Sequence, residues 1–151
     1  MEASKAGKDL IKQFEAFRGT PYLCPADVAS IGYGSTVYPN GKKVKLSDKT
    51  IMPEEGDVLF DTTLHTYETA VTKAVKEPLT QNQFDACVSL CYNIGQTNFS
   101  TSTLVKMLNI KAKPELIALQ FLRWDKARGI RLAGLTRRRM AESELFLSTH
   151  K

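Results

Sequence analysis

Apolar residues recur at two different periods along this chain, and the switches between them mark its elements. Leu10, Ile11, Phe14 and Phe17 stand at i, i+1, i+4 and i+7, one face of a 3.6-residue repeat, so residues 4–17 are predicted as an amphipathic helix. Gly19 and Pro21 supply its stop. From Ser30 to Tyr38 the period changes: Gly32 and Gly34 stand among Ile31, Tyr33, Val37 and Tyr38, the pattern of a twisted strand with close backbone approach. Pro39-Asn40-Gly41 is a turn signal, and Lys42 to Leu46 alternates as a returning strand, which predicts a small β-hairpin sheet. Helical spacing resumes after Pro53-Glu54-Glu55, where a proline and two acids suit a helix N-terminus. Phe60, Leu64, Tyr67, Val71 and Ala74 then mark one face of a helix of roughly twenty residues, closed by Pro78. Thr80-Gln81-Asn82-Gln83 reads as a capping box for a helix carrying Phe84, Cys87, Val88 and Cys91 and ending by Gly95. Residues 103–108 and 115–124 are predicted as shorter helices, and 137–147 closes the chain.

No repeat, low-complexity tract or hydrophilic linker interrupts this order. It predicts a single α+β domain over residues 1–151. Its N-terminal lobe, about residues 1–53, carries the hairpin, and a long helix leads to a helical lobe at about 76–151. A ligand is expected in the cleft between two such unequal lobes.

Composition narrows the class. The chain is 42% apolar and 25% charged, which fits a globular protein and not a disordered one. No apolar stretch approaches the ~20 residues of a membrane span, so stable membrane insertion is not expected. Met1 to Asp9 alternates charge with small residues and has none of the apolar core of a signal peptide. Three cysteines, an odd and low number, argue against a disulfide scaffold. Cys87 and Cys91 share a helix face, but His65 and His150 lie far from them in sequence. No metal site is expected, and these two cysteines are expected to be buried. Residues 1–112 carry 12 Lys+Arg against 12 Asp+Glu, whereas residues 113–151 carry nine basic and four acidic residues and so the whole net charge of +5. A basic end on a neutral body suits an anionic polymer (nucleic acid, a membrane surface or a bacterial wall) or is a solvated helix face. Without a nucleic-acid motif or interleaved aromatic and basic residues, nucleic acid is not expected as a partner.

Glu15 is the residue that position alone makes a candidate. It falls in the last predicted turn of the first helix, where the partial negative charge of the helix end disfavours a carboxylate. Burial against Phe14 and Phe17 would act the same way, and a raised pKa is what a general acid near neutral pH requires. An ordinary glutamate at a helix edge fits the position as well.

The stretch Phe14-Glu-Ala-Phe-Arg-Gly-Thr-Pro-Tyr-Leu-Cys-Pro-Ala, with Ser30-Ile-Gly-Tyr-Gly-Ser-Thr after it, resembles the active-site region of the phage-type lysozymes, the endolysin muramidases of tailed phages. Leu79-Thr-Gln-Asn-Gln-Phe-Asp-Ala, Tyr92-Asn-Ile-Gly, Ser102-Thr-Leu, Arg123-Trp124, Gly134-Leu135, Arg137-Arg138 and Glu142 continue the resemblance in the right order over nearly the whole chain. It implies a lysozyme-like fold, no cofactor, peptidoglycan as partner, and hydrolysis of the β-1,4 bond between N-acetylmuramic acid and N-acetylglucosamine for host lysis. Glu15 falls on the family's general acid. Cys24, nine residues on, stands where the family usually has aspartate, and Ser30, fifteen on, where it usually has threonine. The family histidine after Ile-Gly-Tyr-Gly is Ser35 here. Ser30 keeps a hydroxyl to hold water, and Cys24 acts as base only as thiolate, so Asp27 on the same loop is the alternative base. The pair implies inversion, with water between acid and base. Tyr92, Asn93 and Thr103 match sugar-contacting positions, while Trp124 is expected in the core. A monomer is expected, held in the cytoplasm of the infected host and reaching the wall once the membrane is permeabilised. The alternative is a peptidoglycan-binding protein of the same fold with weak or lost catalysis, as the substitutions at Cys24 and Ser35 suggest.

Overall fold

The first helix stops earlier than its apolar repeat, for a backbone reason. In the computed structural model, which describes residues 1–148, α1 spans Lys5–Glu15, and Ala16 leaves the helix at φ 58°, a left-handed conformation costly for a residue with a Cβ. Gly19 and Pro21 therefore do not end the helix. They lie inside a strand, β1 (Arg18–Leu23), which pairs antiparallel with β2 (Ala29–Gly32). The register runs Arg18 to Gly32, then Tyr22 to Ser30 and Leu23 to Ala29, with a bulge between Arg18 and Tyr22. Pro21, which has no N–H to give a ladder, falls within that irregular stretch.

The hairpin thus forms one strand earlier than predicted. The turn at Pro39-Asn40-Gly41 does exist, with Gly41 at φ 87° and its N–H donating to the Tyr38 carbonyl. The flanking strands shrink to one bridge, Val37 to Lys43, because only Val44 of the returning segment is buried. The second hairpin, β3 (Lys126–Ala127) with β4 (Ile130–Arg131), is two residues per strand and was not foreseen.

The helices follow the periodicity closely. α2 (Pro53–Ala74) is 22 residues long, and Phe60, Leu64 and Val71 are buried along it. α3 (Gln81–Ile94) opens on the predicted capping box: the Thr80 side chain accepts from the Gln83 N–H, and the Gln83 side chain accepts from the Thr80 N–H. Gly95 ends it at φ 91°. A short α4 (Gln96–Ser100) follows, then α5 (Thr103–Asn109) and α6 (Pro114–Phe121). A 3-10 turn (Leu122–Trp124) leads to the second hairpin. α7 (Ala133–Leu147) starts four residues before its predicted position.

The chain divides into two compact units, one of Ile11–Thr66 and one of Met1–Leu10 with the residues from Tyr67 on. The core of the first is Ile31, Val44 and Leu59, with Ala29, Tyr38 and Ile51 packed against it. Phe17 and Phe60 flank Tyr33 at ring separations of 5.6 and 5.4 Å. In the second unit α3 is buried without a break from Phe84 to Tyr92, so it is the central helix, with α7 packed on it and α6 on α7. Cys87 and Cys91 lie buried there as expected, and burial pushes both thiols up, that of Cys91 to about 12. No described helix is long and apolar enough to cross a membrane. His150, noted as remote from the cysteines, lies outside the described residues.

Candidate active site

Three candidate residues gather in the unit Ile11–Thr66 around the hairpin. Glu15 is the last residue of α1, half-buried, and the left-handed Ala16 after it turns the chain into β1. Gly34 stands beside the carboxylate at φ 89°, a conformation that favours glycine, and a Cβ there would lie 3.4 Å from Glu15 Oε1 and 4.0 Å from the Tyr22 hydroxyl, both ordinary contact distances. The carboxylate and the phenol therefore approach the same glycine.

Tyr22 and Ser30 are directly opposed across the hairpin, and Cys24, two residues after Tyr22, follows at its end. The Cys24 N–H donates to the Val28 carbonyl at 3.0 Å and closes the five-residue loop. Burial pushes the Cys24 thiol up. Hydrogen bonds to its sulfur from the backbone at Val28 and Ala26 and from the Ser30 side chain outweigh that, and the thiol sits below the ordinary cysteine range. Ser30 is buried, and its single hydroxyl proton has two acceptors within reach, the Cys24 sulfur and the Val28 carbonyl at 3.1 Å.

Tyr22 lies within the electrostatic reach of both the acid and the thiol. Burial first, then the Glu15 charge, push the phenol up, and Cys24 adds in the same direction against the opposing pull of Arg18. The phenol is therefore a neutral donor throughout the working range of the other groups. The Arg18 guanidinium lies over its ring at 4.0 Å. Neither Arg18 nor Tyr22 was singled out in the sequence, because both belong to the strand that periodicity missed.

The remaining candidates of this unit stand apart from that group. Asp27 is exposed in the loop at φ 61°, with its N–H donating to the Cys24 carbonyl at 2.8 Å. Ser35, at the family's histidine position, is fully buried and bonds the Thr63 hydroxyl of α2 at 2.7 Å.

Tyr92, Asn93 and Thr103 belong to the other unit. Tyr92 is buried with its ring 4.9 Å from that of Tyr67, which gives it a packing role. Asn93, in the last turn of α3, is exposed, and its Oδ1 accepts from Arg139 Nη1 at 2.9 Å. Thr103 is exposed at the start of α5, next to Ser102, whose hydroxyl caps that helix by accepting from the Val105 N–H. Trp124 is half-buried, and its carbonyl also receives Arg139 Nη1, at 3.4 Å. The basic end is partly internal: Arg138 and Arg139 are buried against Glu142, so neither belongs to a solvated patch.

Residues 12–142 match the Phage lysozyme family model. The endolysin of Acyrthosiphon pisum secondary endosymbiont phage 1 is 38% identical over 152 residues, covering 98% of this chain and 99% of that protein. The endolysin of Salmonella phage P22 is 37% identical over 148 residues, with 98% and 99% covered. Among solved structures, the muramidase domain of SpmX from Asticaccaulis excentricus superposes with a TM-score of 0.85 at 35% identity, covering 98% of this chain and 99% of that one.

Proposed function

The chain belongs to the phage lysozyme family, and from that premise we propose that it is an endolysin that hydrolyses the β-1,4 bond between N-acetylmuramic acid and N-acetylglucosamine in peptidoglycan. The observation that carries the reading is the hairpin cluster: Glu15 and the Tyr22 hydroxyl approach Gly34, Ser30 stands opposite Tyr22 across the strands, and the Ser30 side chain bonds the Cys24 thiol and helps to lower its pKa.

The chemistry follows from what each group can give. Glu15, as the acid, protonates the departing glycosidic oxygen. Ser30 holds a water by its hydroxyl, and the Cys24 thiolate takes a proton from that water as it attacks the opposite face of the sugar ring. The glycosidic C–O bond breaks, a C–O bond to water forms, and the anomeric centre is inverted. Asp27 is the weaker candidate for base, since it is exposed at the loop tip and the bonded, activated thiol is Cys24. Asn93 and Thr103 serve as sugar contacts, and Tyr92 supports them by packing. The enzyme works as a monomer on the wall after the host membrane has been opened.

Glu15→Gln tests the reading. It removes the transferable proton and keeps the shape of the side chain, so clearing of a peptidoglycan suspension should fall by several orders of magnitude while co-sedimentation with the wall persists. Near-wild-type clearing by this variant would end the hydrolase assignment. A protein that only binds the wall would co-sediment without clearing even as wild type.

A further inference from the structure

Where α7 meets α3, the helix interface is built from ionic groups in place of apolar ones. Arg139 and Glu142, one turn apart on α7, are both fully buried. Arg139 Nε lies 2.7 Å from Glu142 Oε1 as an ion pair, and Nη2 donates a hydrogen bond to Oε2 at 3.0 Å. Glu142 also receives the Ser89 hydroxyl of α3 and Arg138 Nε at 3.2 Å, and Arg138 Nη2 donates to the Ser89 carbonyl at 3.1 Å. A buried cluster of this kind is a costly way to join two helices, because apolar side chains of the same volume often do so at least as well.

What an apolar substitute could not supply is the other edge of Arg139. Nη1 leaves the buried pair and donates at 2.9 Å to Oδ1 of Asn93, which is exposed. A guanidinium only donates, so it accepts no amide orientation except oxygen inward. Asn93 is thereby left with its Nδ2 as the group it offers outward. We propose that Arg139 is a positioning residue that sets the Asn93 amide as a hydrogen-bond donor, selecting a carbonyl or hydroxyl oxygen of an N-acetylated sugar. This rests on the reading of the chain as a muramidase with Asn93 as a sugar contact.

Substitutions at Asn93 and Arg139 test it. Asn93→Asp leaves Arg139 an oxygen to bond and removes the N–H donor. It should melt at or above the wild-type temperature and raise the apparent KM for wall clearing roughly tenfold, with kcat within about twofold. The rise should persist at high salt, where repulsion between the new charge and the wall is screened. Arg139→Lys keeps a cation beside Glu142 but has no second arm for Asn93, so it should raise KM comparably, and Arg139→Lys/Asn93→Ala should be no worse than Asn93→Ala alone. Wild-type KM in Asn93→Asp overturns the inference, as does wild-type KM in a folded Arg139→Lys. If Arg139→Lys does not fold, Asn93→Asp decides by itself. Failure of the muramidase reading is distinct, because it appears as clearing by Glu15→Gln.

Discussion

A thiol in place of a carboxylate changes what the catalytic base responds to. A carboxylate is ionised by about pH 5, whereas a free cysteine is half ionised only near ~8.5. The bonds that Cys24 draws from its loop and from Ser30 shift its ionisation below that of an ordinary cysteine. The sign is fixed by which form works: thiolate is the base, so its contribution to activity rises with pH through the lowered Cys24 pKa. The rising limb should therefore lie below that of free cysteine, and Cys24→Asp should move it further toward acid while activity is retained. Iodoacetamide removes the thiolate and fills the water position, so alkylated protein should not clear the wall. Cys24→Ala and Asp27→Asn, assayed side by side, assign the base: an active Cys24→Ala with a dead Asp27→Asn would transfer the role to Asp27. The resemblance to the phage-type lysozymes was enough to nominate Cys24 and Ser30 beside Glu15, because the positions that carry it lie in one short segment. The sequence was blind to Tyr22, whose importance comes from facing Ser30 across a strand pair. The basic end, read there as an anionic-polymer surface or a solvated face, is in part neither, since Ser89 and Glu142 are brought against Arg138 and Arg139 inside the protein.

At the scale of elements, helical period was a reliable guide and strand pattern was not. α2 and α3 bury apolar stripes long enough for the repeat to stand out, and the capping box of α3 is local in sequence. β1 contains Gly19, Thr20 and Pro21 around a bulge, and those residues carry no alternation to detect. Gly19 is there for space: its N-terminal strand passes so close to Ile51 that a Cβ would lie 2.7 Å from the Ile51 carbonyl oxygen. Gly56 in α2 follows the same logic. A Cβ at 56 would stand 2.4 Å from Cε1 of the Phe17 ring, itself packed at a tilt against Tyr33. Alanine gains about 1 kcal/mol of helix propensity over glycine, yet displacing a packed ring costs about 1–3 kcal/mol. Gly56→Ala should accordingly lower the denaturation midpoint, and the loss should shrink or reverse in a Phe17→Leu background. A higher midpoint for Gly56→Ala alone would mean that the ring yields freely. Thr80→Ala offers a milder comparison, about 1 kcal/mol for the lost cap, with no change at the site.

For the whole molecule, the net charge of +5 resides in residues 113–151, and the fold decides which of those charges act at a distance. Arg138 and Arg139 are spent on Glu142 inside the protein, and Arg131 pairs with Asp125 at 3.0 Å. Lys126 and Arg137 are exposed and so contribute to the outward field. Exposed charges attract an anionic polymer over about a Debye length, ~8 Å at physiological salt and longer in dilute buffer. Lys126→Gln/Arg137→Gln should therefore weaken co-sedimentation with peptidoglycan in dilute buffer, and the difference from wild type should vanish as salt is raised. Its melting temperature should stay within the small range usual for surface changes. Arg139→Gln should behave in the opposite way, losing thermal stability at every salt concentration because it leaves Glu142 buried beside a weakened partner. If the Lys126/Arg137 variant binds the wall as wild type does at all ionic strengths, the basic end is a solvated face, and wall affinity must come from the sugar contacts alone.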